Sequence, residues 1–142
     1  MKDNLIIMGI NAPKEHQAII TQLIHGLADL YIKDKTNLFP YPETMIDEGQ
    51  TSPAPDILLY DHHQDRTVAL IEVTHSSGVK KDCAKVLSLL RDYDVQEGFV
   101  YDYKKNTWYQ LDKLSGETTE SSFSQVLQLD LNKFLTSNPR KG

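Results

Sequence analysis

Two short runs constrain the fold more than any other feature of this chain. DILLY at 56–60 and TVALIEVT at 67–74 are mostly apolar on both alternating faces of a strand. A strand with one face in water alternates polar and apolar residues, whereas a strand covered on both faces does not. The polar loop DHHQDR separates the runs, so they read as a strand pair near the middle of a sheet, with helices packed on it.

The covering helices can be read from the same chain. Residues 13–33 put Ile20, Leu23, Ile24, Leu27, Leu30 and Tyr31 on one stripe, with Asn11 as N-cap and Pro13 near the first turn. Residues 78–93 repeat the spacing through Val79, Cys83, Val86, Leu87, Leu90 and Tyr93, with Ser76 or Ser77 as cap. NLFPYPETMIDEG is broken by Pro40 and Pro42 and reads as extended or edge-strand structure. GFVYDY and TWYQL flank KKN as a hairpin-like pair, and VLQLDLNKFL reads as an extended piece followed by a final helical turn or two. The order α-β-β-β-α-β-β-α predicts a mixed α/β sheet with helices on its faces. No repeat, low-complexity tract or Gly/Ser/Pro linker divides the 142 residues, a length suited to one domain spanning 1–142.

Charge and cysteine usage narrow the function classes. One Cys excludes a disulfide framework or a thiolate zinc site within one chain and suits a reducing compartment. The opening MKDNLIIMGINAP is too short in apolar residues for a signal segment, and no run approaches the ~20 needed to span a membrane, so a cytoplasmic protein with no membrane partner is expected. A net charge of −5 argues against a surface dominated by phosphate contacts but leaves room for a local basic patch.

Against that apolar background, two acids stand out. Asp56 opens the first run and Glu72 lies on the second, in phase with Val68 and Leu70. Paired strands would bring the two carboxylates together at one end of the sheet. A buried carboxylate needs a cation or is forced neutral. A divalent ion such as Mg²⁺ would serve, since it takes oxygen ligands, keeps several waters and needs only one or two carboxylates. The competing reading has Asp56 capping a turn after Pro55 and Glu72 paired with a lysine of the next helix.

Other reactive residue types fit structural roles. Adjacent His62 and His63 would project to opposite faces of a strand and fall in a polar loop. His16 and His25 lie on or near the first helix's apolar stripe, and Cys83 lies on the second helix's apolar face with no base assigned beside it. Ser76-Ser77-Gly78 lacks the frame of a hydrolase elbow. Trp108, Tyr101, Tyr103 and Tyr109 suit either cross-strand aromatic packing or base stacking.

Pro55-Asp56, fifteen intervening residues and then Glu72-Val73-Thr74 resemble the PD-(D/E)xK superfamily of restriction-endonuclease-like nucleases, and within it the Uma-type endonuclease family. EHQAIITQLIHGLADLY resembles that family's opening helix, IEVTHSSG its E-V-x-S-x-S segment, DYDVQEGFVYD its G-V-x-E-x-W-x-V-D segment and LQLDLNKFL its tail. The resemblance therefore runs in order over nearly the whole chain. It implies a restriction-endonuclease-like mixed β-sheet flanked by helices, an αβββαβ core with a C-terminal hairpin and short helix. The implied activity is metal-dependent hydrolysis of DNA phosphodiester bonds, with Asp56 and Glu72 holding Mg²⁺ or Mn²⁺. Glu15 or Glu48 would add a further acid to that shell.

Departures from the pattern accompany it. Thr74 stands where the motif has its lysine, His75 replaces the usual Ser, and Asp94 replaces a helix-end Gly. In some members the lysine is supplied by the following helix, which points first to Lys85 and next to Lys81 or Lys80. That helix carries only +2 from Lys80, Lys81, Lys85 and Arg91 less Asp82 and Asp92, so a DNA nuclease acting as a homodimer or in a larger assembly is one expectation. The other is a catalytically impaired module of the same fold that binds nucleic acid or a protein partner. Thr74 favours the module, and the retained acids and lysines favour the nuclease.

Overall fold

The computed structural model describes residues 13–47, 49 and 52–135. Helix α1 (Lys14–Ile32) leads into strands β1 (Leu38–Pro42), β2 (Ile57–Asp61) and β3 (Arg66–Thr74). A 3₁₀ turn (Ser76–Gly78) then enters α2 (Val79–Asp92), followed by β4 (Glu97–Asp102), β5 (Thr107–Leu111) and β6 (Thr118–Glu120). The chain closes with the small pair β7 (Phe123–Ser124) and β8 (Leu129–Asp130) and a 3₁₀ turn (Leu131–Leu135).

Strands β1 to β6 form one six-stranded sheet in sequence order. Only β3 and β4 run parallel, and α2 makes the crossover between them. The mixed α/β architecture expected from the alternation of apolar runs is the one observed. One core cluster joins Ile20, Leu23 and Leu27 of α1 to Ile57, Leu59, Ile71 and Phe99. The other joins Val86, Leu89 and Leu90 of α2 to Leu58, Leu70 and Val100. Neighbouring positions on β2 therefore pack in opposite clusters, which is why the run lacks a polar face.

Pro40 and Pro42 sit on β1, an edge strand, where a missing N–H disturbs no second ladder. Three local expectations are corrected. The α1 N-cap is Pro13, with no side-chain cap, and Asn11 lies outside the described residues. Ser76 and Ser77 form the 3₁₀ turn rather than capping α2, whose N-cap is Gly78. Val68 does not pack in phase with Leu70: the β2/β3 register shifts between Leu59 and Tyr60, and Val68 joins the α1 cluster beside Ala69. Asp94, in the place of the helix-end Gly, adopts φ 52°, the left-handed conformation that ends helices.

The depth at which α2 sits on the sheet is set at Gly98 of β4. A Cβ there would lie 2.5 Å from Val86 Cγ1 and 3.0 Å from Leu90 Cδ2, too close without moving the helix. Gly98→Ala is expected to lower stability by about 1–3 kcal/mol. The check is a lower denaturant midpoint at unchanged slope.

Among the described residues, no helix is long and apolar enough to cross a membrane.

Candidate active site

The β2/β3 register pairs Ile57 with Ile71, and one further step sets Asp56, just before β2, opposite Glu72. Side chains take over the ladder at this point. Val73 N–H donates to Asp56 Oδ2 at 2.7 Å, and Asp56 N–H donates to Glu72 Oε2 at 3.1 Å. Each carboxylate is thereby fixed by the other strand's backbone, at the end of the sheet where β3 leaves for α2.

Both helices bring a basic group to the pair. Lys85, in the second turn of α2, places Nζ 2.9 Å from Glu72 Oε2 and donates to the Ala54 carbonyl at 3.0 Å. His16, in the first turn of α1, places Nε2 2.8 Å from the Val73 carbonyl oxygen and 3.5 Å from Asp56 Oδ2. Its ring meets Tyr103 edge-on at 6.2 Å between centroids. His16 is the member of this group that the apolar stripe hid. The available signal was its position one turn before Ile20, on the stripe yet at the helix end nearest the strand termini.

Electrostatics distinguish the two acids. Burial pushes Glu72 up to about 7, the Asp56 carboxylate adds to the rise, and Lys85 opposes it. Burial also acts to raise Asp56, but the hydrogen bonds from His16 and Val73 N–H outweigh it and hold that carboxyl below its ordinary value. The Asp56 hydrogen bond lifts the His16 imidazole above its ordinary value against the opposing effect of burial. Although Lys85 pairs closely with Glu72, desolvation of a residue only 3% exposed outweighs that one cation. Two carboxylates in side-chain contact favour one proton, or one further cation, between them.

The donor set fits a hard divalent cation in partial form. Asp56 Oδ1 and Glu72 Oε1 take no hydrogen bond from a backbone or cationic donor among the described residues. No three His, Cys, Asp or Glu side chains form a ready-made shell among those residues. Two carboxylates with the remaining positions left to water suit Mg²⁺ or Mn²⁺ far better than zinc.

The other candidate residues lie elsewhere. Glu15 pairs with Lys104 at 3.2 Å and bonds to neither carboxylate. Glu48 falls outside the described residues. Lys81 and Lys80 are exposed, and neither pairs with Asp56 or Glu72. Thr74 is buried, donates to the His75 carbonyl at 3.2 Å, and is approached so closely by Gly78 that a Cβ there would sit 2.3 Å from Thr74 Oγ1. Trp108 and Tyr101 are buried against each other, with Trp108 Nε1 donating to Asn132 at 3.0 Å, so they are core residues rather than an open stacking platform. Exposed His62 lies 3.1 Å from Tyr41 Oη. Burial raises the Cys83 thiol, the opposite of an activated nucleophile.

No protein-family model matches the chain, and no curated protein does. Among solved structures it is similar to a protein from Anabaena variabilis ATCC 29413 described as "a putative nuclease belonging to DUF820". The two share 14% identity with a TM-score of 0.64, over 86% of this chain and 80% of that one. At that identity the likeness shows a shared fold: a mixed sheet with helices on its faces.

Proposed function

We propose that this chain is a metal-dependent endonuclease of the PD-(D/E)xK type, hydrolysing DNA phosphodiester bonds with Asp56 and Glu72 as ligands of Mg²⁺ or Mn²⁺. The observation that carries the reading is the meeting of Asp56, Glu72 and Lys85 at one sheet end, with the ammonium 2.9 Å from the glutamate. A nuclease-like fold in the Anabaena protein supports it.

When bound, the ion would polarise a phosphodiester and lower the pKa of a bound water. The chain's own residues would do the rest. Asp56, kept ionised by Val73 N–H and His16, offers a permanent negative charge. Glu72, raised by burial and the Asp56 charge, would hold the cation in its ionised form, so that occupancy would depend on pH. Lys85 takes the part of the motif lysine from the neighbouring helix. Its Ala54 contact fixes the ammonium beside the carboxylates, where it can orient a water or steady charge developing on the phosphate. Buried Thr74 has no cationic group to offer.

That same Thr74 favours a second reading, a module of this fold that binds nucleic acid or a protein partner with the Lys85–Glu72 pair as simple charge compensation. Titration calorimetry with Mn²⁺ separates the two. The nuclease reading expects saturable binding that is lost in Glu72→Ala, together with cutting of plasmid or single-stranded DNA that EDTA stops. Heat-silent titrations and unchanged melting in Mn²⁺ would leave the module.

A further inference from the structure

The geometry points to His16 as a positioning residue for the ion site, one that aims Asp56 and the Val73 carbonyl; this inference rests on the metal-dependent reading above. Val73 O is an acceptor only, so at 2.8 Å the His16 Nε2 must carry the hydrogen. The same nitrogen lies 3.5 Å from Asp56 Oδ2, the oxygen that already accepts Val73 N–H at 2.7 Å. The Val73 amide therefore holds Oδ2 and the imidazole lies beside it, so Oδ1 is the Asp56 oxygen that takes no backbone or cationic donor among the described residues. One imidazole nitrogen thus ties together the carboxylate of Asp56 and the main chain immediately after Glu72.

Among the described residues, no other contact of the ring requires a histidine there. His16 Nδ1 is sealed from solvent and finds no hydrogen-bond partner among the described residues. A buried, unpartnered ring nitrogen is a cost that a phenyl ring would not carry. The ring packs edge-on to Tyr103, a contact that phenylalanine can also make. The residue type is thus explained by what Nε2–H does for Val73 O and Asp56 at the site rather than by the packing of the ring. Outer groups that orient ligands in this way typically change metal affinity about 10–100-fold when removed.

The test compares the full chain with His16→Phe and His16→Gln. Mn²⁺ affinity is read by calorimetry, metal-free melting by circular dichroism, and the bound Mn²⁺ by pulsed electron paramagnetic resonance. His16→Phe is expected to weaken Mn²⁺ binding about 10–100-fold while the metal-free chain stays folded, melting lower only by what the Val73 carbonyl and Asp56 lose with Nε2–H. In His16→Gln, an amide N–H replaces Nε2–H, and Mn²⁺ binding is expected to recover to within about threefold of the unaltered chain, well inside the loss predicted for the phenyl variant. Unchanged Mn²⁺ affinity in His16→Phe would overturn the inference, as would parallel loss of affinity and of melting temperature in both variants. A nitrogen coupling showing imidazole directly on Mn²⁺ would make His16 a ligand and overturn the positioning role. If the unaltered chain itself fails to bind Mn²⁺, the metal-dependent reading falls first, a result distinct from the other three.

Discussion

Glu72→Gln is expected to abolish metal-dependent DNA cleavage, a loss of at least about 10³-fold, while making the metal-free chain more stable at pH 8. The two effects share one cause. In the folded chain, burial and the Asp56 charge lift Glu72 from 4.5 to about 7. Between those values the folded state binds more protons than the unfolded state, so stability falls as pH rises through the window. At about 1.4 kcal/mol per pKa unit, the full difference approaches roughly 3 kcal/mol. His16, with its folded value raised, acts in the same sense: its stabilisation is complete below its unfolded value and is lost as pH rises through the folded one. Asp56 is lowered, so its stabilisation holds above its unfolded value and is lost only in acid. A glutamine at 72 can still accept from Lys85 and Asp56 N–H but carries no charge to desolvate. Urea midpoints at pH 5 and pH 8 should diverge for the unaltered chain and differ by less for Glu72→Gln, where the His16 share of the pH dependence remains. Equal pH dependence in the two proteins would show that Glu72 stays ionised beside Lys85. Asp56→Asn should also abolish cutting but destabilise the chain, because Asp56 is favoured as an anion by His16 and Val73 N–H.

Lys85→Met is the second large effect. Methionine keeps much of the apolar stem against α2's neighbours and removes the ammonium that lies 2.9 Å from Glu72. Cutting is expected to fall about 10²–10³-fold, the usual scale for one electrostatic contact to developing charge. Mn²⁺ binding should persist, because both carboxylates remain. Lys81→Met serves as the comparison, since that exposed side chain pairs with neither acid, and its single-turnover rate should match the unaltered chain. A loss of similar size in both variants would assign the lysines to general phosphate attraction rather than to the reacting centre.

Much of this arrangement is legible in the chain before any fold is known, for local reasons. Apolar residues on alternate positions define β2 and β3 as doubly covered, and helical spacing defines α1 and α2. Strand alternation and pairing across a short loop bring Asp56 and Glu72 to the same end of the sheet, but the register shift between Leu59 and Tyr60 is what sets them directly opposite. Strand β6 is not legible in this way: all three residues of Thr118–Glu120 are exposed, so burial leaves no alternation in its sequence. Nor can periodicity separate Lys85 from Lys81, which lie one turn apart on the same helix. Their distances to Glu72 depend on how far α2 has travelled along the sheet before packing at Gly98.

The sequence by itself thus determined the main helices and strands, their mixed sheet and the two acids near its end, because those follow from contacts between near neighbours in the chain. The tertiary structure alone decided which cation serves which acid. His16 and Val73 are 57 positions apart, and Lys85 and Ala54 are 31 apart. Such pairs leave no periodic trace, since they exist only once two helices have been laid on opposite faces of the same sheet.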